Sequence, residues 1–149
     1  MTIPIFVVFL AFALPASWID IRTYRIPDVL IFSGSLVIFI LLLIAGTVSI
    51  PNRLIAAALS GLFFFIIRRI TGGLGLGDVK FAFFIGLCCG LPWVCAAFLC
   101  AALLGILGCL TFGYTGKNAF RRAIPFAPFL TAGVIASYTL SFFYIFDFF

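Results

Sequence analysis

Hydrophobic and polar positions fall along this chain in blocks. Apolar runs cover 3–19, 29–45, 54–67 and 81–91; a fifth extends from the Pro92-Trp93 turn to about Tyr114, and a sixth from about Ile124 to Phe146. Short polar segments separate them, chiefly 20–28, 46–52, 68–80 and 117–122. The runs lack the period-two alternation that a barrel strand requires, and several reach about 14 to 20 residues, the length that carries a helix across ~30 Å of hydrocarbon. With no water to satisfy backbone groups in lipid, a spanning segment that is not a barrel strand is a helix. The pattern predicts an all-α fold, a bundle of about six transmembrane helices forming one domain over 1–149.

Local signals refine the elements. The run at 3–19 lacks a basic leader and an Ala-x-Ala cleavage site, so it is expected to remain as a helix rather than be removed as a signal peptide. Pro15 loosens a turn near its end. Ile26-Pro27 favours extended backbone and separates the first helix from the second, where Asp28 suits the positive end of the helix dipole. The third run has only 14 residues between Arg53 and Arg68-Arg69, which implies a short or tilted helix, or one lengthened by snorkelling arginines. Gly105 and Gly108 permit close helix approach in the fifth.

Composition agrees with this picture. The 149 residues are 66% hydrophobic and 9% charged, with a mean hydropathy of +1.39; soluble domains are about 45–50% apolar. Charge adds the orientation. On a six-helix layout the odd-numbered loops carry Arg22, Arg25, Arg68, Arg69, Lys80, Lys117, Arg121 and Arg122, and the other side carries Arg53 alone. Eight cations against one place the odd loops in the cytoplasm and both termini outside. The net charge of +5 then reflects orientation and attraction to anionic lipid head groups in the bilayer, and gives no argument for nucleic acid.

The acidic residues carry the chemistry. There are four, Asp20, Asp28, Asp78 and Asp147, with no Glu and no His. A carboxylate at the edge of hydrocarbon is costly, about 2.5 to 3.5 kcal/mol at mid-helix and less near an end. Asp20 closes the first helix, where it opposes the dipole unless a cation or a task holds it. Asp78 ends Gly75-Leu76-Gly77-Asp78, after a glycine-alternating lead and just before the apolar run at 81. On the derived topology both face the cytoplasm. Two carboxylates sharing a site hold a single proton: the charged one can take a proton from water attacking a peptide carbonyl while its partner protonates the carbonyl oxygen. Gly75 and Gly77 fit this scheme by letting the backbone turn and a substrate chain approach. A structural turn with Asp78 as helix cap is the other reading of the same four residues.

Three separated elements together resemble the GxGD membrane aspartyl proteases of the type IV prepilin peptidase and archaeal preflagellin peptidase family. They are Asp20 followed by Ile26-Pro27, then Gly75-Leu-Gly-Asp-Val-Lys80, then Pro125-Phe-Ala-Pro128-Phe129 opening the last helix. They occur in the family's order over about 16–133. The resemblance implies that Asp20 and Asp78 are the catalytic pair of an aspartic endopeptidase. It would cut a short, positively charged leader from a prepilin-like substrate at the cytoplasmic face of a bacterial inner membrane, without metal or cofactor. Pro27, Gly75, Gly77, Lys80, Pro125 and Pro128 would support the motifs and the substrate channel. Family members usually carry Asn where this chain has Asp28, which would put a third carboxylate near the pair. Larger members add an amino-terminal CxxC region and a methyltransferase activity. Neither is expected here, and the layout resembles the short, peptidase-only form of tight-adherence pili.

Other groups read more plainly. The cysteines, at 88, 89, 95, 100 and 109, form no CxxC and are expected to be small buried hydrophobes, with no zinc site. Lys80 is open between lowering the Asp78 pKa, touching substrate and anchoring the helix to lipid phosphates. The run 73–80 lacks the Gly-Lys-Ser/Thr ending of a phosphate-binding loop. Two rival functions are a proton- or cation-coupled transporter component and a catalytically silent pilus or secretion assembly protein. Against a transporter, both acids lie at one surface, with no polar residue continuing a path through the other leaflet.

Overall fold

A computed structural model describes residues 2–46, 50–111 and 125–146, and these form six helices and no strand. The basic segment 117–122, Asp147 and the expected end of the fifth helix near Tyr114 lie outside the described residues, as does the side chain of Cys109.

The elements are α1 (Ile3–Thr23), α2 (Asp28–Ile44), α3 (Ile50–Thr71), α4 (Leu76–Cys89), α5 (Trp93–Thr111) and α6 (Ala127–Phe146). Three ends differ from the apolar runs for local reasons. α1 continues through Asp20 to Thr23 and stops where Tyr24 takes a left-handed conformation and donates its N–H to the Asp20 carbonyl at 2.8 Å. α3 has 22 residues, not 14. Pro51 is tolerated in its first turn, the Arg53 side chain folds inward to the bundle, and Arg68 and Arg69 face the negative end of the dipole. α4 begins at Leu76, so Asp78 lies inside its first turn rather than before it.

α4 is the axis of the bundle and contacts each of the five other helices. Its run from Phe84 to Cys89 is buried without interruption, as are Phe81 and Ala82. Small residues let its neighbour close in: a side chain on Gly86 would collide with the backbone of Ala56 and Ala57 in α3. Gly133 of α6 abuts the backbone of Ala97 and Ala101 in α5 in the same manner. Such contacts drive association where lipid leaves no hydrophobic difference between inside and outside.

The outer surface is apolar. Val29, Ile44 and Ile70 are each 78% exposed, and many other large hydrophobic side chains share that surface, an arrangement that water does not tolerate over such an area. α1 and α3 are each long and apolar enough to span a bilayer, and the other helices are shorter. The chain is a helical membrane protein.

Arg53 and Asn52 lock one end of the bundle. Arg53 is buried and donates to the carbonyls of Leu87 and Cys88, the otherwise unpaired C-terminal groups of α4. Asn52 accepts the Leu91 N–H and donates to the Leu91 carbonyl, each at 3.0 Å. The opposite end of α4 is thereby left to carry Asp78.

Candidate active site

At that end an open cavity of about 660 Å³ is lined by the last turn of α1, the 24–27 connection, Asp28, and the Gly75-Leu76-Gly77-Asp78 motif. Asp20 and Asp78, 58 positions apart in sequence, line it together.

Asp20 is buried, and its Oδ2 accepts the Ala127 N–H at 3.1 Å. This resolves its awkward place at the C-terminal end of α1. Ala127 is the first residue of α6, so the carboxylate faces an orphan N–H at the positive end of another helix. The Pro125-Phe-Ala-Pro128 segment delivers that N–H, with Pro128 in the first turn, where a missing N–H costs nothing.

Asp78 acts on its own helix. Its Oδ2 accepts the N–H of Gly75, the residue that caps α4, at 3.0 Å. The cap reading of the motif is therefore correct, and it leaves the carboxyl on the wall of the cavity. Asp78 stands in the first turn of α4, three residues before the apolar run that begins at Phe81. Burial pushes its pKa up to about 6; the Gly75 hydrogen bond opposes the shift, and the negative charge of Asp20 adds to it.

Neither motif glycine takes the left-handed conformation of a tight turn. Gly75 has φ −73°, open to any residue, and the left-handed turn after α3 falls at Gly72, φ +65°. Gly77 allows a close approach: a Cβ there would lie 3.0 Å from Cβ of Ile26, which would have to give by a few tenths of an ångström. The Ile26-Pro27 pair and the glycine motif are thus halves of one packing contact, with Pro27 capping α2.

Lys80 turns to Asp28, not Asp78. Its Nζ lies 2.6 Å from Asp28 Oδ2 and 5.5 Å from the centre of the Phe32 ring. Asp28 stands in the first turn of α2, but its side chain bonds no N–H of that turn; its partner is Lys80 across the gap to α4.

A sequence model described as the type IV leader peptidase family matches residues 7–110. The chain belongs to the type IV leader peptidase family. It is also 35% identical over 139 residues to the prepilin leader peptidase/N-methyltransferase of Bacillus subtilis, a match covering 89% of this chain and 54% of that protein. The chain thus spans about half the length of the curated relative it matches. No solved structure matches it. Within this leader peptidase family chain, Asp20, Asp28, Gly75, Gly77, Asp78 and Lys80 all fall inside the matched region, and α6 lies beyond it.

Ser17 and Thr131 escaped the sequence reading, as did the partner of Arg68. Arg68 donates from Nε to the Leu74 carbonyl at 3.2 Å and so ties down the glycine lead. Ser17 and Thr131 are buried between α1 and α6 with their hydroxyl oxygens 2.7 Å apart. Their signal was position: Ser17 is a hydroxyl three residues before Asp20, and Thr131 stands four after Ala127.

Proposed function

We propose that this chain is an aspartic endopeptidase that removes the leader from a prepilin-like protein, with Asp20 and Asp78 as the catalytic pair. The observation that carries this reading is the shared cavity, where the Asp20 charge bears on a carboxyl already raised by burial. Two carboxyl groups that share a site hold one proton between them, the state this hydrolysis needs. The charged member takes a proton from a water molecule as its oxygen attacks the scissile carbonyl carbon. The protonated member donates to the carbonyl oxygen, forming a tetrahedral diol. Collapse of the diol breaks the C–N bond and passes a proton to the leaving amine. The pair titrates as a unit, so neither residue owns one role.

The protein crosses a bacterial cytoplasmic membrane several times, with the cavity at the cytoplasmic face and both termini outside. That orientation, argued from the distribution of Lys and Arg, suits a substrate whose basic leader stays inside. Gly77 and Pro27 serve by lining the cavity, Pro125 and Pro128 by setting the start of α6 against Asp20, and Gly75 and Lys80 by fixing the first turns of α4 and α2. Co-expression with a type IV prepilin, followed by a mobility shift on gels, tests the proposal. Cleavage by the wild type and its loss in both Asp20→Asn and Asp78→Asn is expected; cleavage that survives either substitution refutes the pair.

A further inference from the structure

We propose that Ser17 and Thr131 are positioning residues for Asp20, holding the first turn of α6 against α1 so that the Ala127 N–H stays on the carboxylate. The inference rests on the peptidase reading above. A hydroxyl has one proton, and the Thr131 proton goes to the Ala127 carbonyl at 2.9 Å. The proton in the 2.7 Å contact between the two hydroxyls is therefore supplied by Ser17. Ala127 is consequently held at both ends of its backbone, by Asp20 on its N–H and by Thr131 on its C=O.

The spacing makes this one device. Ser17 stands three residues before Asp20 on α1 and Thr131 four after Ala127 on α6, so each pair shares a helix face. All three side chains are nearly closed to solvent: Asp20 is 5% exposed, Ser17 6% and Thr131 3%. A hydroxyl in such surroundings without a partner is costly, which makes the α1–α6 register strongly preferred in the one arrangement that satisfies all of them. The plainer account, two core hydroxyls that satisfy each other and stabilise the fold, predicts a different outcome on substitution.

The test is Thr131→Val, which keeps the shape and removes both hydrogen bonds, with Thr131→Ser as the conservative rescue. Purified variants are reconstituted with a prepilin, and initial rates are normalised to the folded fraction. A misplacement on the order of 1 Å costs as much as about a hundredfold. Thr131→Val is accordingly expected to lower kcat by about tenfold or more with KM unchanged, and Thr131→Ser to recover most of the loss. Ser17→Ala, which leaves the Thr131 to Ala127 bond in place, gives a smaller fall of the same kind if Thr131→Val fails to fold. A reduced unfolding midpoint with unchanged kcat, in Thr131→Val or in its substitute, overturns the inference and leaves the peptidase reading standing. A wild-type chain that cleaves nothing overturns both.

Discussion

Replacing Gly86 by alanine tests whether the axis of the bundle is set by close backbone contact. A Cβ at this position would lie 2.6 Å from the Ala56 carbonyl oxygen and the Ala57 Cα, and 2.7 Å from the Ala57 nitrogen. Non-bonded heavy atoms rest at about 3.5–4.0 Å, so α3 and α4 must part by roughly 1 Å. The obstructing atoms are backbone and cannot rotate aside. Overpacking of this kind costs about 1–3 kcal/mol, against which the better helix propensity of alanine returns about 0.5–1 kcal/mol. Gly61→Ala is the matched control. It also lies within a helix, but its Cβ would meet Phe83 at an ordinary 3.5 Å, so only the propensity gain applies. Reversible unfolding by SDS in mixed micelles should show Gly86→Ala destabilised by about 1–2 kcal/mol and Gly61→Ala unchanged or slightly stabilised. Equal stability of the two variants would refute the argument that α3 and α4 need a bare backbone at Gly86.

Two further outcomes follow from the site. The pKa of Asp78 is raised from 3.8 to about 6 in the folded chain, so the folded state holds this proton more tightly than the unfolded one. The associated stability is complete below about 3.8 and is lost as pH rises through about 6. Unfolding of the wild type in mixed micelles should become easier across that window, and Asp78→Asn should shrink the step; a pH-independent wild type contradicts the raised pKa. The exposed Asp28–Lys80 pair, with side chains 55% and 33% exposed, is worth no more than about 1 kcal/mol. Asp28→Asn, with an amide still able to accept from Lys80, should keep most prepilin cleavage, and a loss as deep as that of Asp78→Asn would place Asp28 in the chemistry.

Apolar runs foretell helices where the physics is local. Runs of apolar residues must become helices in lipid, and six did, with Asp28–Ile44 falling within a residue of the boundaries read from hydrophobicity. The pattern fails at helix ends, where polar groups are satisfied by distant partners. Arg53, inside the first turn of α3 rather than before it, reaches the Leu87 and Cys88 carbonyls, a bond over 34 or 35 positions that no window of sequence contains. The same limit hid the reason for Asp20, whose partner is 107 residues away. Gly77 shows the point from the other side. Glycine suggested a pliant turn, whereas the fold sets its bare backbone against Ile26.

On the proposed dyad both acids have two duties, and the duties separate by substitution. Asp78 caps the start of α4 by accepting the Gly75 N–H, and Asp20 accepts the Ala127 N–H at the start of α6. Neither bond needs a proton on the carboxyl, and each needs only an oxygen in the same place. Asparagine retains that oxygen and loses the ability to exchange a proton near neutral pH; alanine loses both. If the acids are only caps, Asp→Asn leaves cleavage intact and Asp→Ala costs stability by about 0.5–2 kcal/mol each. If they are a dyad as well, the asparagine variants are folded and inactive, and the alanine variants are inactive and less stable. Folded and inactive asparagine variants at both positions are what the cap reading alone cannot produce.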